Sequence, residues 1–219
     1  MNKKKVNILF RKNLKLFTTV LQPASASTMD TFIQSDNATY ANGVVATIVT
    51  GGLSTGGQVC RGLLRFDLSS IPSNAKIISA SISLYHETEA ATTDYTVGLH
   101  KALTEWFESE VTGALNAGDV GSVWNYRNNA GTVAWAGGAG GGSGSDYMAT
   151  ASDTKLIAEV LTWYSFDVTN DVAGFIVSNN FGWWVINESE ATANSRKRFT
   201  SSDAVTGTDR PKITVVYKA

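Results

Sequence analysis

Residues 61–86, RGLLRFDLSSIPSNAKIISASISLYH, place two runs of period-two hydrophobicity on either side of a single proline. In the first, Leu64, Phe66 and Leu68 share one face and Leu63, Arg65 and Asp67 the other, so Leu63 breaks the alternation. In the second, Ile78, Ala80, Ile82 and Leu84 alternate with Ile77, Ser79, Ser81, Ser83 and Tyr85. A period of two puts neighbouring side chains on opposite faces of a pleated strand, one of them buried. Pro72 holds Ile71 out of helical geometry and has no amide to donate, so the first strand must end before it. Two such strands joined by a turn form a sheet nucleus, which commits the chain to a β scaffold.

The rest of the chain repeats this grammar. Residues 44–49, 95–100, 161–168, 179–187, 196–201 and 211–218 read as further strands, the last beginning at Pro211, where proline is tolerated. Residues 152–159 fit a strand or a turn. Residues 169–172 read as a helical turn capped by Thr169, and one helical segment is expected over 172–177. Residues 123–147, VWNYRNNAGTVAWAGGAGGGSGSDY, exceed the usual connection length, yet their two tryptophans argue that at least half of the segment packs down. Its glycine run, 137–144, reads as a flexible loop. The expectation is all-β: a single antiparallel β-sandwich of jelly-roll type with long loops, over residues 29–219.

Hydrophobic residues make up 43% of the 219, enough for one core, and no apolar run approaches the ~20 residues that span a bilayer. The single Cys60 excludes an intrachain disulfide and a cysteine metal cluster. Charge is unevenly spread: six of the 18 basic residues and none of the 19 acidic ones fall in residues 1–28. A basic arm therefore precedes an acidic body. Arg11, Lys12 and Lys15 interrupt what would be the apolar region of a secretory leader, so a retained arm is expected. Its docking residues would be Lys3, Lys4, Lys5, Phe10, Arg11, Lys12, Leu14, Lys15 and Phe17. The pattern suits a helix or a strand equally; a strand would pair with the edge of another sheet. No basic groove pattern, zinc spacing or helix-turn-helix is present, so no nucleic-acid partner is expected.

The ordered segments RGLLRFDLSSIPSNAKIISASISLY, VGLHKALTEW, YSFDVTNDV, NNFGWW, RFTSSD and RPKITVVY resemble the DNRLRE-type β-sandwich domain, which is similar to alginate-binding carbohydrate-binding modules. The resemblance covers residues 30–217. It implies a domain of the kind found in secreted polysaccharide-degrading and cell-wall proteins and in phage structural proteins. The chain departs from that pattern at Gly113, where a second tryptophan is replaced by a long insertion, and no accompanying catalytic domain is expected.

No nucleophile–base order, HExxH or Walker lysine is legible, and His86 and His100 each end an apolar strand, which suits structural roles. Cys60 reads as a buried filler. Glu105, Glu108 and Glu110 offer glycosidase-type carboxylates but lie on a short polar stretch that suits solvation. The chain is therefore expected not to be an enzyme. No cofactor is implied beyond calcium, for which Asp146 and Asp153, with Asp67, are the hard-oxygen candidates. Sugar binding needs an exposed aromatic face flanked by polar or cationic groups. Trp124, Tyr126, Arg127 and Trp135 in the long loop, Trp184 in its strand, and Arg196 and Arg198 form the candidate set. Trp183 and Trp184 are adjacent, so one faces the core and the other is expected outside. The competing reading makes all six tryptophans core or loop anchors. Two functions follow. The first is a virion surface protein, on capsid or tail, whose arm binds other virion or self subunits in an oligomer. The alternative is a secreted carbohydrate-binding module for an acidic polysaccharide.

Overall fold

The computed structural model describes residues 14–22, 28–54, 57–87 and 93–219. Of the proposed arm residues, Lys3, Lys4, Lys5, Phe10, Arg11 and Lys12 lie outside that range. The strands are β1 (Leu16–Leu21), β2 (Thr28–Gln34), β3 (Tyr40–Asn42), β4 (Thr47–Gly52), β5 (Val59–Phe66), β6 (Lys76–His86), β7 (Tyr95–Lys101), β8 (Thr112–Ala114), β9 (Tyr126–Asn128), β10 (Val133–Ala134), β11 (Asp153–Ile157), β12 (Thr162–Asp167), β13 (Trp183–Asn187), β14 (Lys197–Thr200) and β15 (Lys212–Lys218). One helix, α1, spans Thr169–Phe175.

All strand pairings are antiparallel, and the fold is the all-β sandwich expected. The front leaf runs β12–β6–β15–β1, with β14 and β4 extending it at Phe199↔His86. The back leaf runs β2–β5–β13–β7–β11. Strand β4 belongs to both: Thr47–Thr50 pair with β14, then Gly51 and Gly52 pair with Cys60 and Val59 of β5. The corner needs glycine. Gly51 has φ +107°, and a Cβ on Gly52 would meet Thr192 O at 2.1 Å.

The two leaves bury a common core. Ala80, Ile82 and Leu84 of β6, Phe166 of β12, and Ile213, Val215 and Tyr217 of β15 face Leu64 and Phe66 of β5, Val97 and Leu99 of β7, and Trp183 and Val185 of β13. These are the alternate positions of each strand, as the period of two requires. Fully burying each large apolar side chain contributes about 1.5–3 kcal/mol, so this layer dominates stability.

Leu63 proves regular rather than exceptional. The outer face of the back leaf is not solvent but a second apolar layer of Ile33, Leu63, Trp106, Trp135, Tyr147, Trp184 and Ile186, covered by the segment between β7 and β11. The strand is buried on both faces. α1 joins the turn expected at 169–172 to most of the segment expected over 172–177, but Thr169 is not its side-chain cap. Its hydroxyl instead accepts from the Ala80 amide (2.9 Å) and donates to Asp167 (2.6 Å).

The described part of the arm is a strand. β1 pairs with β15 of the same chain, Leu16↔Lys218 through Leu21↔Ile213. Phe17 stacks on Tyr217 with ring centroids 5.4 Å apart. The amides and carbonyls of Lys15 and Ala219 bond reciprocally at 3.2 Å, so residue 15 lies beside the last residue. Leu14 and Leu16 are exposed, as is Val20.

Candidate functional site

The front leaf turns its outer face to solvent. Strand alternation places Ser79, Ser81, Ser83 and Tyr85 of β6 on that face, with Trp163, Ser165 and Asp167 of β12 and Lys212 and Thr214 of β15. Register then fixes the neighbours. Trp163 lies opposite Tyr85, and Ser83 lies opposite both Ser165 and Lys212. The two rings meet edge to face, centroids 5.3 Å apart at 62°. Lys212 Nζ stands 3.8 Å from the centroid of the Trp163 ring. Ser83 and Ser165 bring their hydroxyls to 3.4 Å. Trp163, Tyr85 and Lys212 are all half-buried, so each keeps surface for a ligand. Such a face presents apolar ring area, hydroxyl donors and acceptors and one ammonium on a flat sheet. Trp163 was not among the sequence candidates. The signal was available, because in LTWYSFDV it alternates with the buried Phe166 and shares the face of Ser165 and Asp167.

The sequence candidates are distributed differently. Trp184 is fully buried and Trp135 is 2% exposed, so neither offers the open face expected of it. Their rings meet at 4.8 Å, and Tyr147 lies 5.1 Å from Trp184. Trp183 and Trp184 do face opposite ways, but both sides of β13 are covered. Trp135 Nε1 donates to Val123 O at 3.0 Å, fastening the loop from beneath.

Trp124, Tyr126 and Arg127 remain half-buried at the loop surface. Trp124 carries the Arg61 guanidinium 5.6 Å from a ring centroid. Arg61 is committed elsewhere, to the Glu190 carboxylate and to the carbonyls of Gly140 (2.9 Å) and Gly141 (2.8 Å). Arg127 donates to Glu105 O at 3.0 Å. Arg196 is exposed near Asp36 and Gln58, whereas Arg198 lies 3.7 Å from Glu87. Lys197, between them, points inward and is buried. The three cations therefore do not converge.

The calcium candidates are occupied by protein donors. Asp146 is fully buried and accepts from the Thr104 hydroxyl (3.1 Å) and the amides of Ala136 (2.9 Å), Gly137 (2.8 Å) and Gly142 (2.8 Å). It is the hub of the glycine-rich run, which is thus ordered rather than a flexible loop. Gly141 has φ +77°, and a Cβ there would meet the Trp184 ring at 2.4 Å. Asp153 accepts from the Asp167 and Thr154 amides, both at 2.8 Å, and lies 2.7 Å from Lys155 Nζ. Burial works against its charge, but these donors outweigh it and hold its pKa below the usual carboxylate value.

Both His100 ring nitrogens are engaged, Nδ1 with Met148 O (2.9 Å) and Nε2 with Glu188 Oε1 (3.1 Å). His86 is fully buried. Cys60 packs with Phe32 and Val49, and burial pushes its thiol up to about 12, which suits a filler. Glu108 turns toward Asp30 and Asp203.

No curated protein matches the chain. The sequence profile of carbohydrate-binding module family 96 matches residues 22–116, from just before β2 to just beyond β8. This match supports a carbohydrate-binding β-sandwich domain, in a family of binding rather than catalytic modules, and gives no support to a virion role.

Proposed function

We propose that this chain is an extracellular, non-catalytic carbohydrate-binding module that holds an acidic polysaccharide on the outer face of its front leaf. The observation that carries this is the Trp163–Tyr85 pair with Lys212 Nζ 3.8 Å from the indole centroid, set among Ser81, Ser83 and Ser165. The C–H face of a pyranose stacks on the indole, displacing the lysine. An exposed cation–π contact is worth only about 0.5–1 kcal/mol, so the ammonium is easily redirected to a uronate carboxylate. The serine hydroxyls then orient the ring hydroxyls. A linear polymer suits a flat face, because several sugar units lie along it at once.

The test is affinity electrophoresis of the full chain in gels containing alginate, polygalacturonate or a neutral β-glucan. Retardation by the acidic polymers, lost in Trp163→Ala and kept in Trp124→Ala, is the expected result. The opposite pattern would move the site to the loop around Trp124, Tyr126 and Arg127. That second reading rests on the half-buried indole backed by Arg61.

A further inference from the structure

Away from the aromatic face, three carboxyl groups from distant segments converge: Asp30 of β2, Glu108 of the segment after β7, and Asp203 of the turn after β14. One carboxylate oxygen from each lies within 4.8 Å of the others. That separation is what oxygens at 2.3–2.6 Å around a shared cation produce, since ligands on opposite sides of a calcium ion stand about 4.6–5.2 Å apart.

Acidic groups alone gather for many reasons, but the hydroxyl beside them points the same way. Ser202 is 1% exposed, its amide donates to Asp30 Oδ2 at 2.8 Å, and its side chain lies against the same carboxyl. Yet Ser202 Oγ, fully enclosed, meets the carboxyl outside good hydrogen-bond geometry and has no other partner among the described residues. A buried hydroxyl left without a hydrogen bond costs about 1–3 kcal/mol, and a hard cation between it and the carboxylates removes that cost. The Asp30 amide fixes Glu108 Oε1 at 2.9 Å, which holds that carboxylate in place before any ion arrives. The cluster is not sealed. A cavity of about 410 Å³ opens beside Glu108 and Asp203, lined also by Met29, Gly43 and Glu110, so an ion and its waters can enter.

We propose that Asp30, Glu108 and Asp203, with the Ser202 hydroxyl, form a calcium site that clamps β2, the covering segment and the chain after β14 together. The donors are all hard oxygens, and their number leaves room for waters in a sphere of six to eight, which suits Ca²⁺ better than the strict octahedron of Mg²⁺. This site is separate from the proposed sugar face and does not depend on it.

The experiment uses the full chain and calcium alone. Equilibrium dialysis is expected to find one Ca²⁺ per chain at about 1 mM free ion, the affinity range of extracellular modules. The melting temperature is expected to rise by several degrees between EDTA and about 2 mM CaCl₂. Glu108→Gln keeps an oxygen for the Asp30 amide and should still fold, but should lower calcium affinity at least tenfold and abolish the rise. Ser202→Ala, which leaves all three carboxylates, should weaken binding severalfold. Asp153→Asn should retain both binding and the rise. Absence of bound calcium in the wild type, undiminished binding in Glu108→Gln, or an equal rise with Mg²⁺ would each overturn the assignment.

Discussion

Lys212 and Trp163 meet across β6 without sharing a strand pair: the lysine projects from β15 and the indole from β12, and Nζ sits 3.8 Å from the ring centroid. Both belong to the solvent side of the front leaf, so their contact costs the fold little if lost. Lys212→Gln is therefore expected to leave the melting temperature within a few degrees of wild type. Affinity for alginate should fall about tenfold or more, as loss of a charge-assisted hydrogen bond implies, with little change for a neutral glucan. Isothermal titration with oligomers of each sugar measures the split.

Trp184 should behave in the opposite way. Truncating a fully buried indole between β13 and the covering loop leaves a large cavity, and Trp184→Ala is expected to cost about 3–5 kcal/mol. Urea unfolding checks the magnitude. A variant that kept its stability and lost only sugar binding would contradict the buried placement.

Asp146→Ala removes the acceptor for three amides and one hydroxyl at once. The loss is expected at about 3 kcal/mol, more than one hydrogen bond and less than a sum of four. The run around Gly137 and Gly142 should also become open to limited proteolysis, with the wild type expected to stay intact under the same conditions.

Burial, before any neighbouring charge, pushes Asp30 up to about 7 and Glu108 up to about 8. In EDTA the folded chain then keeps protons that the unfolded chain releases near pH 4. The contribution of these two groups to stability is expected to be largest below that point and to fall as the pH rises toward 8. Thermal melts across this range, in Asp30→Asn and Glu108→Gln against wild type, measure the contribution. The slope should flatten in both variants.

Gly141→Ala places a methyl group where the Trp184 ring already lies and where φ is +77°. A loss of about 2 kcal/mol or more is expected, read as a lower melting temperature with the aromatic near-ultraviolet signal reduced.

The strands were legible because their pattern is local. Residues 61–86 announce β5 and β6 through side-chain alternation, which follows from the geometry of a single strand. Which face of the sandwich is wet is not local. Leu63 and Trp184 look outward by the same rule that makes Tyr85 and Trp163 look outward, and only the fold of the segment between β7 and β11 over the back leaf separates the two cases. That segment has almost no periodicity, because its order comes from Asp146 and from glycine backbone packed against Trp184, not from repeating side chains. Alternation alone therefore exposes Trp184, which the covering segment buries. The cluster at Asp30 is illegible for a similar reason: its partner Glu108 lies about a third of the chain away and Asp203 more than three quarters.

The reciprocal bonds between Lys15 and Ala219 have a mechanical meaning. Tension applied between those two residues opens the β1–β15 ladder one rung at a time, like a zipper, so the first structural loss under load should need little force.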